Sequence, residues 1–134
     1  MQAKADFMEI AERNGVEILR FAFPLVDSMS TEISGRCYIG LDCSRSRTTA
    51  EEQACIGHEL GHCLYGGFYT RQTPFDIMER HEVRADHWYI QQAIPRKTLF
   101  DLLRKGYDAW EIAERLDTTE EYVRRAYYYY KDNR

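Results

Sequence analysis

The pentad His58-Glu59-Leu60-Gly61-His62 constrains this chain more than any other feature, because its spacing has a chemical use only on a helix. Residues four apart on an α-helix share a face and stand about 6 Å apart along the axis. Two imidazoles placed so can converge on one ion at Zn–N distances of roughly 2.0–2.1 Å. Glu59 is rotated about 100° from His58 on the helical wheel. Its carboxylate can therefore stand beside the ion, next to an attacking water, without ligating. The flanks agree with a helix. Thr49 and Glu52 form an S/T-x-x-E capping box at its start, and Gly66-Gly67 stops it just past Tyr65.

Two ligands do not make a reactive centre. A catalytic zinc takes three protein ligands and keeps one position open. Nineteen residues lie between His62 and Glu82, which falls inside the next predicted helix, and Asp86 follows one turn later on the same face. The pattern is H-E-x-x-H, x19, E-x-x-x-D, a His2Glu set for Zn2+. Asp86 is suited to accept the free N–H of one of the two histidines and fix its tautomer. A three-histidine set fails, because Tyr65 and Phe68 occupy the positions where that pattern needs Gly and His.

This set points to metal-assisted hydrolysis, with Glu59 as the general base that takes a proton from water and passes it to the leaving amine. The oxyanion that develops needs a donor. Tyr69, Arg84, His81 and His87 all have the chemistry, and Tyr69, in the loop just past the active helix, is the preferred donor of the four, although a packed loop aromatic is the commoner role for such a residue. Arg84 also reads as a salt-bridging helix residue, and the two histidines as surface residues. Cys55 and Cys63 flank the pentad, and thiolates bind zinc. Cys55, one turn before His58, is the better placed of the two, yet both read as small core residues.

The 134 residues fit one domain. A first helix is expected over about residues 4–13 and a strand over 16–23, stopped by Pro24. Residues 29–33 pair with 36–41 as a hairpin across Ser34-Gly35. After the metal helix, Thr73-Pro74 opens a helix that Pro95 closes, with Ala85, Trp88 or Tyr89, and Ala93 on its buried face. Three short helices follow, at about 97–105, 109–116 and 119–131. The fold class is α+β, with a small antiparallel sheet packed by helices. A catalytic core is expected over about residues 1–96 and a C-terminal helical subdomain over about 97–134.

Net charge is -4, which speaks against a dedicated nucleic-acid binder. The C-terminal segment does have helix-turn-helix spacing, with Ala113 in the small-residue slot, Val123 in the core slot and Asp117 where a turn glycine is common. Its second helix, however, starts Thr119-Glu120-Glu121, which repels phosphate, and Arg124, Arg125, Lys131 and Arg134 come later. The expected role of these helices is to pack on the core or to contact a protein, with part of the Tyr127–Tyr130 run exposed. The four cysteines form no C-x-x-C pair, and residues 1–9 lack a signal-peptide h-region. No stretch reaches the roughly 20 apolar residues of a membrane span. The expectation is a reduced, cytoplasmic protein whose oligomeric state the sequence leaves open.

The stretch His58-Glu59-Leu60-Gly61-His62-Cys63-Leu64-Tyr65-Gly66 resembles the core of the ImmA/IrrE family of metallo-endopeptidases. Gly67-Phe68-Tyr69, Pro74, Asp76, His81-Glu82-Val83-Arg84-Ala85-Asp86-His87-Trp88 and Ile94-Pro95 look like its phage-associated branch. The family pattern at the third ligand is E-x-x-A-N or E-x-x-A-D, which Glu82 to Asp86 matches. The resemblance implies a zincin-like fold with a gluzincin-like site: zinc on His58, His62 and Glu82, and Glu59 as base. It also implies an anti-repressor role, cleavage of a partner repressor of the Xre helix-turn-helix type. The alternative is a non-catalytic module that sequesters a repressor or binds DNA through the C-terminal helices.

Overall fold

The computed structural model describes residues 5–22, 27–44, 47–65 and 74–133. The chain runs α1 (Phe7–Arg13), β1 (Glu17–Phe21), β2 (Ser28–Ile33), β3 (Arg36–Asp42), α2 (Thr49–Tyr65), α3 (Phe75–Ala93), α4 (Arg96–Arg104), α5 (Ala109–Leu116) and α6 (Glu120–Asp132). It is an α+β arrangement of six helices and one three-stranded sheet among the described residues.

The hairpin forms where the turn signal stands. Ser34 and Gly35 have φ of 53° and 81°, the pair of positive values that a two-residue hairpin turn of the primed type requires. The register runs from Ile33 opposite Arg36 to Ser28 opposite Leu41. The sheet is mixed, which corrects the expectation of an antiparallel one. Its order is β1-β3-β2, and β1 lies parallel to β3, with Glu17 opposite Tyr38 and Phe21 opposite Asp42. Short-range signals pair sequence neighbours, but here β3 enters between β1 and β2, so β1 meets a strand that runs its own way. As the central strand, β3 is covered on both faces, and residues 39–42 are buried in succession.

The start of α2 corrects the capping reading by one residue. The Thr48 N–H donates to Glu51 Oε1 at 2.9 Å, and the Glu51 N–H donates to Thr48 Oγ1 at 3.1 Å. The run Thr48-Thr49-Ala50-Glu51-Glu52 contains the S/T-x-x-E pattern twice, and the earlier copy is used. These bonds hold the Glu51 carboxyl below its usual range, the Thr48 backbone bond most of all. The displaced pair serve elsewhere: the Thr49 hydroxyl meets Asp117 Oδ1 at 3.3 Å, and Glu52 forms an ion pair with Arg20.

Helices α2 and α3 approach unusually closely, and two glycines on α2 permit it. A Cβ on Gly61 would stand 2.7 Å from the Cα and 2.8 Å from the carbonyl oxygen of Ala85. A Cβ on Gly57 would stand 2.1 Å from the ring of Tyr89. Neither position accepts a side chain without displacing its neighbour.

One buried cluster unites Phe7 of α1, Ile39 of β3, Leu60 of α2, Tyr89 of α3, Leu99 of α4, Ile112 of α5 and Val123 of α6. The cluster draws residues from both sides of position 96. Across it the buried Tyr89 and Thr118 hydroxyls lie 2.7 Å apart. Ala113 and Val123 are buried, and Asp117 adopts the left-handed conformation (φ 53°, ψ 49°) expected of a turn glycine.

The cysteines depart from the fully reduced expectation. Cys37, near the start of β3, and Cys63, in the last turn of α2, form a disulfide, with Cα atoms 5.9 Å apart. Cys43 and Cys55 remain thiols. Among the described residues no helix is long and apolar enough to cross a membrane.

Candidate metal centre

The close α2–α3 contact sets two rows of side chains face to face. His58 and His62 lie one turn apart on α2, and Glu82 and Asp86 one turn apart on α3. The Glu82 carboxylate spans both imidazoles: Oε2 is 2.8 Å from His58 Nε2, and Oε1 is 3.0 Å from His62 Nε2. One ligand atom from each of the three residues lies within 4.8 Å of the other two.

This donor set suits a metal. Bond lengths of 2.0–2.1 Å in a tetrahedral site place ligand atoms about 3.3 Å apart. The His–Glu82 separations are only slightly shorter, so a small withdrawal of one carboxylate is the adjustment an ion requires. Two imidazoles and one carboxylate, all oxygen or nitrogen donors, match the borderline preference of Zn2+. Cys55 is not part of the set, and burial pushes its thiol up. Cys63 is committed to Cys37.

A further layer of contacts orients the ligands. The Nδ1–H of His58 donates to Asp86 Oδ1 at 2.8 Å. The Tyr122 hydroxyl donates to the same oxygen at 2.6 Å, and Arg125 Nη1 donates to Asp86 Oδ2 at 3.0 Å. Burial pulls Asp86 upward, but the bonds from His58 and Tyr122 and the charges of His58 and Arg125 hold it below the usual carboxylate range. Burial, reinforced by the negative charge of Asp86, pushes the Tyr122 phenol well up, so it stays a donor.

Glu59 is only 6% exposed and His62 4%. Acidic side chains are rarely so buried without partners, and Glu59 has two. Ser28 Oγ donates to Oε2 at 2.8 Å, and Ser30 Oγ donates to Oε1 at 2.7 Å. Both serines stand on one face of β2, two residues apart. The carboxylate is thus held between the metal helix and the strand beside it.

Sequence reasoning named His58, Glu59, His62, Glu82 and Asp86, and the fold brings them together. Tyr69, the preferred oxyanion donor, lies outside the described residues. Of the other candidates, Arg84 is exposed. His87 stacks on Tyr129 with ring centroids 4.0 Å apart, and burial lowers its basicity despite the charge of Asp86. His81 is half-buried on α3. Ser28, Ser30, Tyr122 and Arg125 were not foreseen. An alternation of small hydroxyls at 28 and 30 was the one available cue for the serines, and nothing in the local pattern marks Tyr122 or Arg125.

In the metal-free chain burial pushes His58 down, but the bonds to Asp86 and Glu82 and the charge of Glu59 outweigh it and raise the imidazole to about 10. The sign follows directly. The folded value lies above the ordinary one, so the charged form contributes stability fully below about 6.5, and that contribution is lost as pH rises through about 10. A metal arriving at neutral pH must displace this proton. Calorimetric zinc titrations at pH 7.5, in buffers of different ionisation heat, are expected to show release of about one proton from His58. Release should fade as the pH passes His58's own value, and a pH-independent signal would contradict the assignment.

Comparison with protein-family models gives no match to this chain, and comparison with curated proteins gives none either.

Proposed function

We propose that this chain is a zinc-dependent endopeptidase that cleaves a protein partner, a repressor of the Xre helix-turn-helix type, with a zincin-like fold akin to that of the ImmA/IrrE family it resembles. The observation that carries the reading is the meeting of His58, His62 and Glu82 from two helices, with Glu59 buried one residue from the first ligand. A structural zinc site is normally closed by four protein ligands. Here, among the described residues, three side chains form the set, and a potential base stands next to it.

When bound, the metal supplies Lewis acidity toward the scissile carbonyl and makes water a better nucleophile at neutral pH. Glu59 accepts the proton of the attacking water on a carboxylate oxygen and returns it to the leaving amine. Ser28 and Ser30 keep that carboxylate in one orientation, and either hydroxyl can turn away as the proton arrives. Asp86 keeps His58 in the tautomer whose Nε2 faces the ligand set. A protein substrate suits the setting, because β2 is an edge strand of the sheet. An extended peptide added along such an edge by backbone hydrogen bonds would run beside the strand that supports Glu59.

The test has two arms. The purified chain is expected to bind one zinc ion, and Glu82→Ala should weaken binding by more than the roughly 100-fold that loss of an outer contact costs. Incubation of the zinc-loaded chain with Xre-type repressors, the one encoded nearby first, should yield fragments by mass spectrometry that a chelator abolishes. Intact repressors with zinc fully bound would refute the peptidase reading.

A further inference from the structure

Helix α6 carries none of the three ligands, yet it reaches the site. Three donors converge on the two oxygens of Asp86, and two of them come from α6. Tyr122 and Arg125 lie three apart on that helix, on one face. Both are held in place independently of Asp86. The Tyr122 ring packs against Tyr89 at 4.6 Å, and the Arg125 guanidinium lies 5.0 Å above the Tyr122 ring. Arg125 Nη2 also bonds Glu121 Oε1 at 2.6 Å.

A carboxylate with a single hydrogen-bond partner can rotate about its side-chain torsions. One gripped at both oxygens by donors from another helix is fixed in plane and position. Asp86 in turn meets the ligand His58, at the nitrogen opposite the metal-facing one. The Tyr122 hydroxyl adds little to packing that a phenylalanine ring would not supply. Its placement against Oδ1 is where its specific effect lies.

We propose that Tyr122 and Arg125 are positioning residues of the metal centre: from α6 they clamp Asp86, and through it they set the orientation and tautomer of His58. This rests on the reading of His58, His62 and Glu82 as a metal site. It makes helix α6 part of the centre, and not an appendage to it.

The experiment is zinc affinity of the full chain, measured by competition with a chelating dye, alongside the thermal midpoint of each metal-free variant. Tyr122→Phe and Arg125→Gln are each expected to weaken zinc binding about 10-fold, toward the lower end of the effect of outer contacts. Arg125→Lys should recover most of the loss. Arg124→Gln, whose side chain pairs with Glu120 instead, should leave affinity unchanged. In an Asp86→Asn background the Tyr122→Phe change should add almost nothing, because both act through one carboxylate. Affinities equal to that of the unsubstituted chain, equal losses in Arg124→Gln, or full additivity with Asp86→Asn would overturn the proposal while leaving the metal site standing. If the unsubstituted chain binds zinc no better than His62→Ala, the metal reading falls and the proposal falls with it.

Discussion

Glu59→Gln is expected to lower peptide hydrolysis by about 100- to 10,000-fold, the range that a positioned general base supplies, with zinc content unchanged. The substitution keeps the shape of the side chain. In the fold, Glu59 is buried and receives hydrogen bonds from Ser28 and Ser30. A glutamine can keep both, because its carbonyl accepts from one serine while its amide donates to the other, whose hydroxyl turns to accept. The buried site stays satisfied and the ligands keep their places. What disappears is the ability to take up a proton. Cleavage rate and metal content measured on the same preparation separate the effects. A variant that cleaves at the full rate with zinc bound would remove Glu59 from the mechanism. One that loses zinc would show that the residue serves the site's structure.

Gly61→Ala should damage both the fold and the site, although the middle of a helix normally favours alanine over glycine by about 1 kcal/mol. The new methyl group would fall 2.7 Å from Ala85 Cα and 2.8 Å from its carbonyl oxygen. Those are backbone atoms and cannot swing aside, so α3 must shift as a body. Overpacking of this kind costs about 1–3 kcal/mol, enough to reverse the propensity gain. Glu82 is one turn before Ala85 and moves with it, away from His58 and His62. The expected result is a lower urea midpoint and a zinc affinity reduced more than in Tyr122→Phe. A Gly61→Ala chain as stable as the original and as good at binding zinc would mean that α2 and α3 do not pack as described.

The parts of this site that could be read in advance are those written within a single helix. His58 and His62 repeat at four residues, as do Glu82 and Asp86, and each pair needs only helical geometry to share a face. The meeting of the two pairs depends on Gly57 and Gly61, two glycines that weaken a helix interior and for that reason could have been read as a close-approach surface. The capping box was recognised one residue late because Thr48-Thr49-Ala50-Glu51-Glu52 carries the pattern in two registers, which local energetics barely distinguish. The mixed sheet was missed for a different reason. Strand order is settled by which strand the helices cover, and β3 takes the centre because residues 39–42 are apolar or paired enough to be buried on both faces. The outer supports lay furthest from view. Ser28, Ser30, Tyr122 and Arg125 meet their partners at sequence separations of 31, 29, 36 and 39, and no periodicity links positions so distant. The disulfide between Cys37 and Cys63 joins positions 26 apart and was hidden in the same way.

The grip of α6 on Asp86 bears on how a bound ion would leave. Regions of a protein open locally at lower cost than they unfold globally, and an ion escapes through the cheapest opening that loosens its ligands. α2 is stapled to the sheet by Cys37–Cys63 and locked against α3 through its glycines. α6 is joined to Asp86 by two hydrogen bonds. Its undocking would free Asp86 and loosen His58, at the cost of exposing Val123, Ala126 and Tyr130 from the core. The lifetime of the loaded state would then follow the breathing of one helix, and anything that fastens or lifts that helix would set the pace of exchange.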